Sequence, residues 1–455
     1  MGLRIPNGSV NATFLFVLLV LVTTTFLTHH CLARREAEAD HRRTPLARHR
    51  PAPPLPPVPT VSPPSSSATF SVTHYGAVGD GTTDDTKAFA DAWSAACGVG
   101  ASTVVVPASY VFLVGPITFT GDSCEANTVF QVDGTILADT GSTAWHSGDV
   151  TQWLEFKNVR GLTIQGSGTV DGHGSQWWSG RDGDDDATRE LDPDRVGTSN
   201  RPTAVRVYQG ANVTVTGITI RNSAKFHLTF DTCRDVEVHG VAVSSPGDSP
   251  NTDGIHLTGS VGVSIHNTTL ACGDDCISIQ DGCSDVFIRN VKCGPGHGIS
   301  IGGLGKGGAT AVVSDVSVQD VTLNQTMTGV RIKTWQGGSG SVTNVRFSNV
   351  QVSGVKIPIA IDQYYCDHTT CTNQTSAVAV SGVAYQGVAG TYTERPVYLA
   401  CSDAAPCSGI HLADIQLAPV KDGGYHLHGP FCWKAYGDVV RPVEPPVECL
   451  MAGGP

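Results

Sequence analysis

Three carboxylates and a histidine recur at a regular spacing in the middle of the chain. Asp253 lies in "SPNTDGIHL", the Asp274 and Asp275 pair in "CGDDCISIQ", and His297 in "CGPGHGISIGG". Asp253 and Asp275 are 22 residues apart, as are Asp275 and His297, and each precedes an alternating, strand-like run. Carboxylates held close together repel one another, so at least one has a raised pKa while a neighbour stays ionised. General acid/base catalysis needs that combination of protonated and ionised groups.

The spacing belongs to a repeat that runs through most of the chain. From about residue 160, short alternating strands are separated by Gly, Asn and Asp with almost no helical periodicity, which indicates an all-β fold. Successive units such as "ANVTVTGITI" and "CRDVEVHGVAV" share an anchor valine at intervals of 23 to 30 residues: Val213, Val236, Val263, Val286, Val316 and Val345. Such periods predict a right-handed parallel β-helix, a single-domain solenoid over about residues 102 to 450.

Register within this solenoid predicts which side chains meet. Two inner rows are expected, formed by Ile255, Ile277, Ile299 and Val330 and by Leu257, Ile279, Ile301 and Ile332. The outward rows are then His256, Ser278, Ser300 and Arg331, and Thr258, Gln280, Gly302 and Lys333. Since stacked strands lie about 4.8 Å apart, the aspartates, His297, Arg331 and Lys333 should gather on one outer face. A single aspartate at a turn is more often structural, but the whole set favours a functional site.

The motifs that carry these residues also resemble those of a known family. The blocks "SPNTDGIHL", "GDDCISI", "CGPGHGISIGGLG" and "RIKTWQGG", with "YGAVGDGTTDDTKAFADAW", "GTVDGHGSQWW" and "NRPTAVR" upstream, are similar to plant polygalacturonases of glycoside hydrolase family 28. The resemblance covers about residues 68 to 450. It implies hydrolysis of α-1,4-linked galacturonic acid in pectin, with inversion at the anomeric carbon and with no metal or other cofactor.

The resemblance also implies catalytic roles. Asp274 would be the general acid, Asp253 and Asp275 would hold and activate the water, and His297 would assist. The chemistry of the residues agrees, because glycosidic cleavage needs one protonated and one ionised carboxyl group. The residues alone do not say which aspartate holds the proton. Gly273 is expected to let the adjacent Asp274 and Asp275 occupy a turn.

Substrate-binding residues follow from the same resemblance. Arg331 and Lys333 would bind sugar carboxylates, and Asn251 is a further candidate. Tyr365 in "IDQYYC" is the candidate for stacking on a sugar, with the adjacent Tyr364 as the alternative. A structural alternative for the two cations is that they only offset the charge of the aspartates.

Cysteine spacing, matched to the family, implies several disulfides. The expected pairs are Cys276–Cys293, Cys366–Cys371, Cys401–Cys407 and Cys432–Cys449, and Cys97 could pair with Cys124 near the start. Three cysteines, Cys233, Cys272 and Cys283, remain unexplained. A zinc site formed by Cys272, Cys276, Cys283, Cys293 and His297 is the alternative. Disulfides are the better account in a secreted chain.

The N-terminal region differs in composition from the rest. Residues 1–33 contain the apolar run "ATFLFVLLVLVTTTFL" and end in "CLA", which predicts a cleaved secretory signal peptide, with a membrane anchor as the alternative. Residues 34–67, rich in Arg and Pro, are expected to form a disordered linker before the catalytic domain, residues 68–455. A helix over Thr83 to Cys97, with Asp84 and Asp85 in its first turn, should cap the solenoid.

These features define the expected location and partner. A secreted protein of the extracellular cell wall is expected, and sequons for glycosylation occur at Asn212, Asn267, Asn324 and Asn373. The formal charge of -12 argues against nucleic acid as a partner. The expected partner is homogalacturonan, bound by a monomer with no membrane contact after signal removal. Alternatives are an exo-acting galacturonosidase, a pectate lyase and a noncatalytic pectin-binding solenoid.

Overall fold

The computed structural model describes residues 68–146, 151–178, 201–366, 372–421 and 426–455. The predicted signal peptide and linker lie outside the described residues and stay predictions. Within the described ranges, no helix is both long and apolar enough to cross a membrane.

Short strands make up most of the described chain. The helices are α1 (Thr86–Cys97) and α2 (Ser175–Trp178), with 3₁₀ turns at Val72–Tyr75, Thr143–His146 and Lys306–Gly308. The strands are β1 (Thr69–Ser71), β2 (Asp80–Asp84), β3 (Thr103–Val106), β4 (Val111–Val114), β5 (Ile117–Thr120), β6 (Val129–Val132), β7 (Thr135–Ala138), β8 (Gln152–Lys157), β9 (Thr163–Gln165), β10 (Thr169–Asp171), β11 (Thr203–Tyr208), β12 (Ala211–Thr216), β13 (Thr219–Arg221), β14 (Leu228–Asp231), β15 (Arg234–His239), β16 (Ala242–Ser244), β17 (Ile255–Thr258), β18 (Val261–Ala271), β19 (Ile277–Ile279), β20 (Ser284–Cys293), β21 (Ile299–Leu304), β22 (Thr310–Asn324), β23 (Thr328–Thr334), β24 (Ser339–Val355), β25 (Ile357–Asp362), β26 (Ala379–Tyr392), β27 (Val397–Ala400), β28 (Cys407–Pro419), β29 (Phe431–Trp433), β30 (Ala435–Glu444) and β31 (Met451–Ala452).

These strands form two long parallel sheets. One sheet has eleven strands in the order β5-β8-β11-β14-β17-β19-β21-β23-β25-β27-β29, so each coil contributes one strand to it. The other strands form a twenty-stranded sheet, in which β18 pairs with both β15 and β16. Neighbouring coils therefore pair in parallel along the whole described domain. The predicted right-handed parallel β-helix is confirmed.

The predicted register is also confirmed. The six anchor valines pair in sequence from Val213 to Val345, and the row continues to Val383, which the repeat analysis did not include. In the eleven-stranded sheet, Ile255 pairs with Ile277, and Ile277 with Ile299. All eight residues predicted for the two inner rows are at most 1% exposed. Stacked aliphatic rows thus form the core beneath the candidate site.

The helix at the N-terminal end begins later than predicted. Strand β2 includes Asp84, and α1 starts at Thr86, so the predicted acidic first turn is wrong. The Asp85 carboxylate instead accepts hydrogen bonds from the backbone N–H of Val78 at 2.7 Å and Gly79 at 3.1 Å. It therefore closes a turn ahead of the helix. The apolar face of α1 is buried as predicted, with Trp93 packing 5.2 Å from the Phe119 ring centroid.

Candidate active site

The predicted catalytic residues come together where three neighbouring strands of the eleven-stranded sheet begin. Asp253 lies just before β17, Asp274 and Asp275 lie before β19, and His297 lies before β21. Each therefore occupies the turn that leads into one of three successive parallel strands. The next strand, β23, carries Arg331 and Lys333.

Asp275 is buried among cations. Its Oδ1 accepts hydrogen bonds from Ser300 Oγ at 2.7 Å and Arg331 Nη2 at 2.8 Å, and Oδ2 accepts one from Lys333 Nζ at 2.8 Å. Burial raises the pKa of Asp275, but Lys333 and Arg331 outweigh that effect and lower it to about 2. Asp275 is therefore ionised at neutral pH.

The outward row of the sheet is less exposed than its register suggests. Ser300 pairs with Arg331 as predicted, but Ser300 is fully buried, and Arg331 and Lys333 are each only 6% exposed. Arg331 Nε also donates to Ser300 Oγ at 3.1 Å. Both cations thus act as counter-ions of Asp275 in the free protein.

Asp253 is also buried but has a different environment. Its Oδ2 lies 3.0 Å from His256 Nδ1, and the His256 ring stacks on Phe226 at a centroid distance of 4.1 Å. Burial raises the pKa of Asp253 to about 6; His256 opposes this rise, and the negative charge of Asp274 adds to it. Lys225 Nζ lies 4.7 Å from the Phe226 ring centroid. Asp253 therefore gains a proton more readily than Asp275.

Asp274 is the carboxylate that faces solvent. Its side chain is 20% exposed, against 7% for Asp253 and 2% for Asp275. Its Oδ1 lies 2.9 Å from His297 Nδ1, and the backbone N–H of His297 donates to the Asp274 carbonyl at 2.7 Å. The Asn251 side chain lies 3.5 Å from Asp274 Oδ2. The predicted group is thus assembled, with Asp274 and His297 as its accessible pair.

Two glycines allow close packing around these groups. Gly273 and Asp274 form a bend that leads into Asp275, as expected, and Gly273 itself does not adopt a positive φ. A Cβ there would lie 1.8 Å from the carbonyl oxygen of Ser249, which makes close backbone approach the reason for a glycine at this position. A Cβ at Gly303 would lie 2.8 Å from Trp335 Nε1 and 3.0 Å from Tyr365 Cδ1.

The two candidate tyrosines point to different places. Tyr365 has its ring centroid 5.2 Å from Lys333 Nζ and meets Trp335 edge to face at 5.5 Å. Tyr364 instead shares a hydrogen bond of 3.2 Å with the Asp403 carboxylate. Tyr365 is therefore the tyrosine that lies beside the candidate site.

A predicted disulfide lies beside the candidate site, and others lie elsewhere in the described chain. Cys276–Cys293 links the start of β19 to the end of β20, and the predicted pairs Cys97–Cys124, Cys401–Cys407 and Cys432–Cys449 are also formed. Cys371, the expected partner of Cys366, lies outside the described residues. The free cysteines among the described residues are Cys233, Cys272 and Cys283, and all three are buried. Since Cys276 and Cys293 are bonded to each other, the zinc alternative is wrong.

Some residues at the site were not predicted as members of it. Ser300 and His256 were assigned only to the outward row, and their contacts with Asp275 and Asp253 were not predicted. Arg201 was present in the motif "NRPTAVR", and it donates to Asn251 Oδ1 at 2.9 Å. The outward register was the available signal for Ser300 and His256, because polar residues in the same row as Arg331 approach the same face.

One set of donor atoms at the site could ligate a metal. Asp274, Asp275 and His297 offer donor atoms within 4.8 Å of one another. Both Asp275 oxygens already accept hydrogen bonds from Arg331 or Lys333, so a metal would have to displace or approach two cations. This donor set is therefore a poor fit, and the absence of a metal cofactor stays a prediction.

Comparison with known proteins identifies related sequences. The model of the family described as "Glycosyl hydrolases family 28" matches residues 97–424, which include the whole candidate site. A probable polygalacturonase of Arabidopsis thaliana is 41% identical over 390 residues, covering 85% of each chain. A polygalacturonase of Persea americana is 42% identical over 362 residues, covering 79% of this chain and 76% of the relative.

Solved structures share the fold at lower identity. An exopolygalacturonase from Thermotoga maritima aligns with a TM-score of 0.63 and 20% identity, covering 80% of this chain and 92% of its own. A polygalacturonase from Erwinia carotovora aligns with a TM-score of 0.63 and 22% identity, covering 81% and 99%. At these identities the likeness establishes the fold alone.

Proposed function

We propose, since the chain belongs to glycosyl hydrolases family 28, that it hydrolyses α-1,4-galacturonosidic bonds of polygalacturonate with inversion at the anomeric carbon. The observation that carries the proposal is the gathering of three aspartates, in which the exposed Asp274 contacts His297 and lies beside the buried Asp253 and Asp275. An inverting hydrolysis needs a proton donor for the leaving oxygen and a base for the attacking water. Relatives named polygalacturonase support the choice of substrate.

Asp274 is the proposed general acid. Its exposure supports this role, because the acid must reach the glycosidic oxygen of a bound chain. His297, in contact with Asp274 Oδ1, would orient that carboxyl group.

Asp275 and Asp253 are proposed to act together as the general base for the attacking water. Asp275 is kept ionised by its two cations, so it can hold and orient the attacking water as a hydrogen-bond acceptor. Asp253 can take up a proton near pH 6, which fits a group that receives one during turnover. Their different pKa values suit different parts of that one role, in which Asp275 orients the water and Asp253 takes up its proton.

Arg331 and Lys333 are proposed to bind a substrate carboxylate in addition to holding Asp275. Tyr365, beside Lys333, is proposed to stack on a sugar ring, and Asn251, beside Asp274, to contact substrate. The proposed location is extracellular, in the cell wall. The apolar N-terminal sequence and the disulfides support secretion.

Incubation of the protein with polygalacturonate tests the reaction class. We expect new reducing ends without new ultraviolet absorbance, because hydrolysis creates no double bond. Absorbing products and a calcium requirement would favour a lyase, and binding without reducing ends would favour a noncatalytic solenoid. Separation by size distinguishes mixed oligomers, from internal cleavage, from galacturonate alone, the product of the exo-acting alternative. Proton NMR of the first product anomer tests inversion.

Asp274→Asn tests the assignment of the acid. Loss of a positioned general acid typically costs about 10²- to 10⁴-fold in rate, while oligogalacturonate binding should be nearly intact. Substrates with an acidic nitrophenol leaving group need little protonation, so Asp274→Asn should lose much less activity on them. Asp253→Asn is the matched control and should lose activity equally on both substrates. The reverse pattern would assign the acid to Asp253.

A further inference from the structure

The eleven-stranded sheet continues beyond the candidate site toward its C-terminal end. Arg331 pairs with Ala360, Ala360 with Tyr398, and Tyr398 with Phe431. The neighbouring row runs from Lys333 through Asp362 and Ala400 to Trp433. Three strand spacings separate Lys333 from Trp433, about 14 Å at roughly 4.8 Å each. The rows that carry the two active-site cations thus lead directly to β29.

Aromatic rings occupy the far end of these rows. Phe431 is 37% exposed and Trp433 is 47% exposed, which is unusual for such large apolar side chains. Tyr398 and Phe431 stack with centroids 5.3 Å apart and planes 21° apart. We refer to Tyr398, Phe431 and Trp433 as the aromatic platform. It lies on the outer face of the same sheet as the candidate active site.

The platform is held in place by polar contacts. Trp433 Nε1 donates to Asp403 Oδ1 at 3.2 Å, and the Asp403 carboxylate also shares a hydrogen bond with the Tyr364 hydroxyl. This connection links the indole to the segment after β25 that carries Tyr365. A ring fixed in this way loses little conformational entropy when a ligand packs on it.

Two cations, Arg395 and Lys434, lie beside the aromatic platform. The Arg395 guanidinium carbon lies 5.6 Å from the Tyr398 centroid and 5.5 Å from the Phe431 centroid. Lys434 Nζ lies 5.9 Å from the Trp433 ring. The nearby Asp403 carboxylate accepts hydrogen bonds from Trp433 and Tyr364, so part of its charge is already compensated.

We propose that the aromatic platform is a distal binding site for the uronate chain whose cleavage is proposed above. The proposal rests on that function. Sugar rings present C–H faces that pack on aromatic rings, and their carboxylates suit the planar donors of Arg395. Continuity with the row of Lys333 means that one extended chain can lie across both places. A neutral polysaccharide would leave Arg395 and Lys434 without a function in binding.

A series of oligogalacturonates of increasing length tests the platform. Trp433→Ala should leave kcat/KM unchanged for short oligomers that do not reach β29, and lower it several-fold to about tenfold for long chains. The matched control is Val440→Ala, since Val440 is 51% exposed but lies on β30 in the other sheet. The control should show no dependence on length. An equal loss at all lengths, or no loss at any, would overturn the proposal.

Calorimetric binding in the Asp274→Asn background gives a second readout that does not need turnover. Long oligogalacturonates should bind more weakly when Trp433→Ala is added, and short ones should bind equally. If the intact protein releases no reducing ends from polygalacturonate, the proposed function fails. The length dependence of binding still shows whether the aromatic platform binds the uronate chain. Sedimentation tests the other occupant, a second copy of the chain. A dimer that Trp433→Ala converts to monomer would overturn the assignment to a polysaccharide.

Discussion

Asp253 and Asp275 precede neighbouring strands of the same sheet, one coil apart. Both are almost fully buried, but their pKa values shift in opposite directions. Asp275 contacts Arg331 and Lys333, and its pKa falls to about 2. Asp253 contacts His256, and burial raises its pKa to about 6. Burial is therefore not what distinguishes them. The cations in direct contact decide which carboxylate remains ionised.

The largest expected effect on stability comes from removing the negative charge of Asp275. Asp275→Asn leaves Arg331 and Lys333 buried without a counter-ion, which should reduce the free energy of unfolding by about 3–5 kcal/mol. Asp253→Asn removes a buried charge that contacts His256 rather than a lysine or arginine, so it should be neutral or stabilising at pH 7. Urea denaturation of both variants measures the difference. Equal destabilisation by the two substitutions would contradict the comparison.

The same pair predicts opposite effects of pH on stability. The pKa of Asp275 is depressed, so its contribution is present above its ordinary value of 3.8 and is lost as pH falls toward 2. The pKa of Asp253 is raised, so its contribution is full below 3.8 and is lost as pH rises through about 6. Melting temperatures from pH 4 to 7 should therefore improve for Asp253→Asn relative to the unmodified protein. Parallel profiles would argue against the raised pKa.

The next effect concerns substrate charge. Lys333→Met removes one of the two counter-ions of Asp275, so activity should fall on every substrate. If Lys333 also binds a sugar carboxylate, KM should rise by a further ~10- to 100-fold on polygalacturonate, the value of one charge-assisted hydrogen bond. Highly methyl-esterified pectin lacks that carboxylate and should show only the first loss. Equal losses on both substrates would leave Lys333 with the structural role alone.

Much of this arrangement could be predicted because residues one coil apart in a solenoid lie next to each other, so their spacing in the sequence predicts their contact. The 22-residue spacing placed Ile255 under Ile277 and brought Asp253 near Asp275 without any knowledge of loops. The burial of Lys333 could not be predicted in this way. It depends on packing around β23, including the Tyr365 ring, which follows the next strand of the sheet. The proton affinity of Asp253 likewise depends on ångström-scale distances to His256 and its neighbours.

A smaller effect is expected from His256. His256→Gln should remove the contact that lowers the pKa of Asp253, and a hydrogen bond to a charged group corresponds to about one to two pKa units. The acid limb of kcat/KM should then move to higher pH, with Asp274, Asp275 and Lys225 as the other charged groups near Asp253. Activity well above the limb should recover. A uniform loss at all pH values would mean that His256 only supports the fold.

The smallest expected effect is at Phe226, which touches no carboxylate in the described contacts but stacks on the His256 ring. Phe226→Leu keeps an apolar side chain and removes the aromatic stack, worth about 0.5–1.5 kcal/mol. Part of that energy fixes the ring plane that aims Nδ1 at Asp253, so the acid limb should shift in the same direction as in His256→Gln but by less than one unit. Combining Phe226→Leu with His256→Gln should add nothing further to the shift where Phe226 acts through the imidazole, and a further shift would point to Lys225, whose Nζ lies 4.7 Å from the Phe226 ring centroid. An additive shift would show that Phe226 affects Asp253 by another route, such as this lysine or the burial that raises the pKa of Asp253.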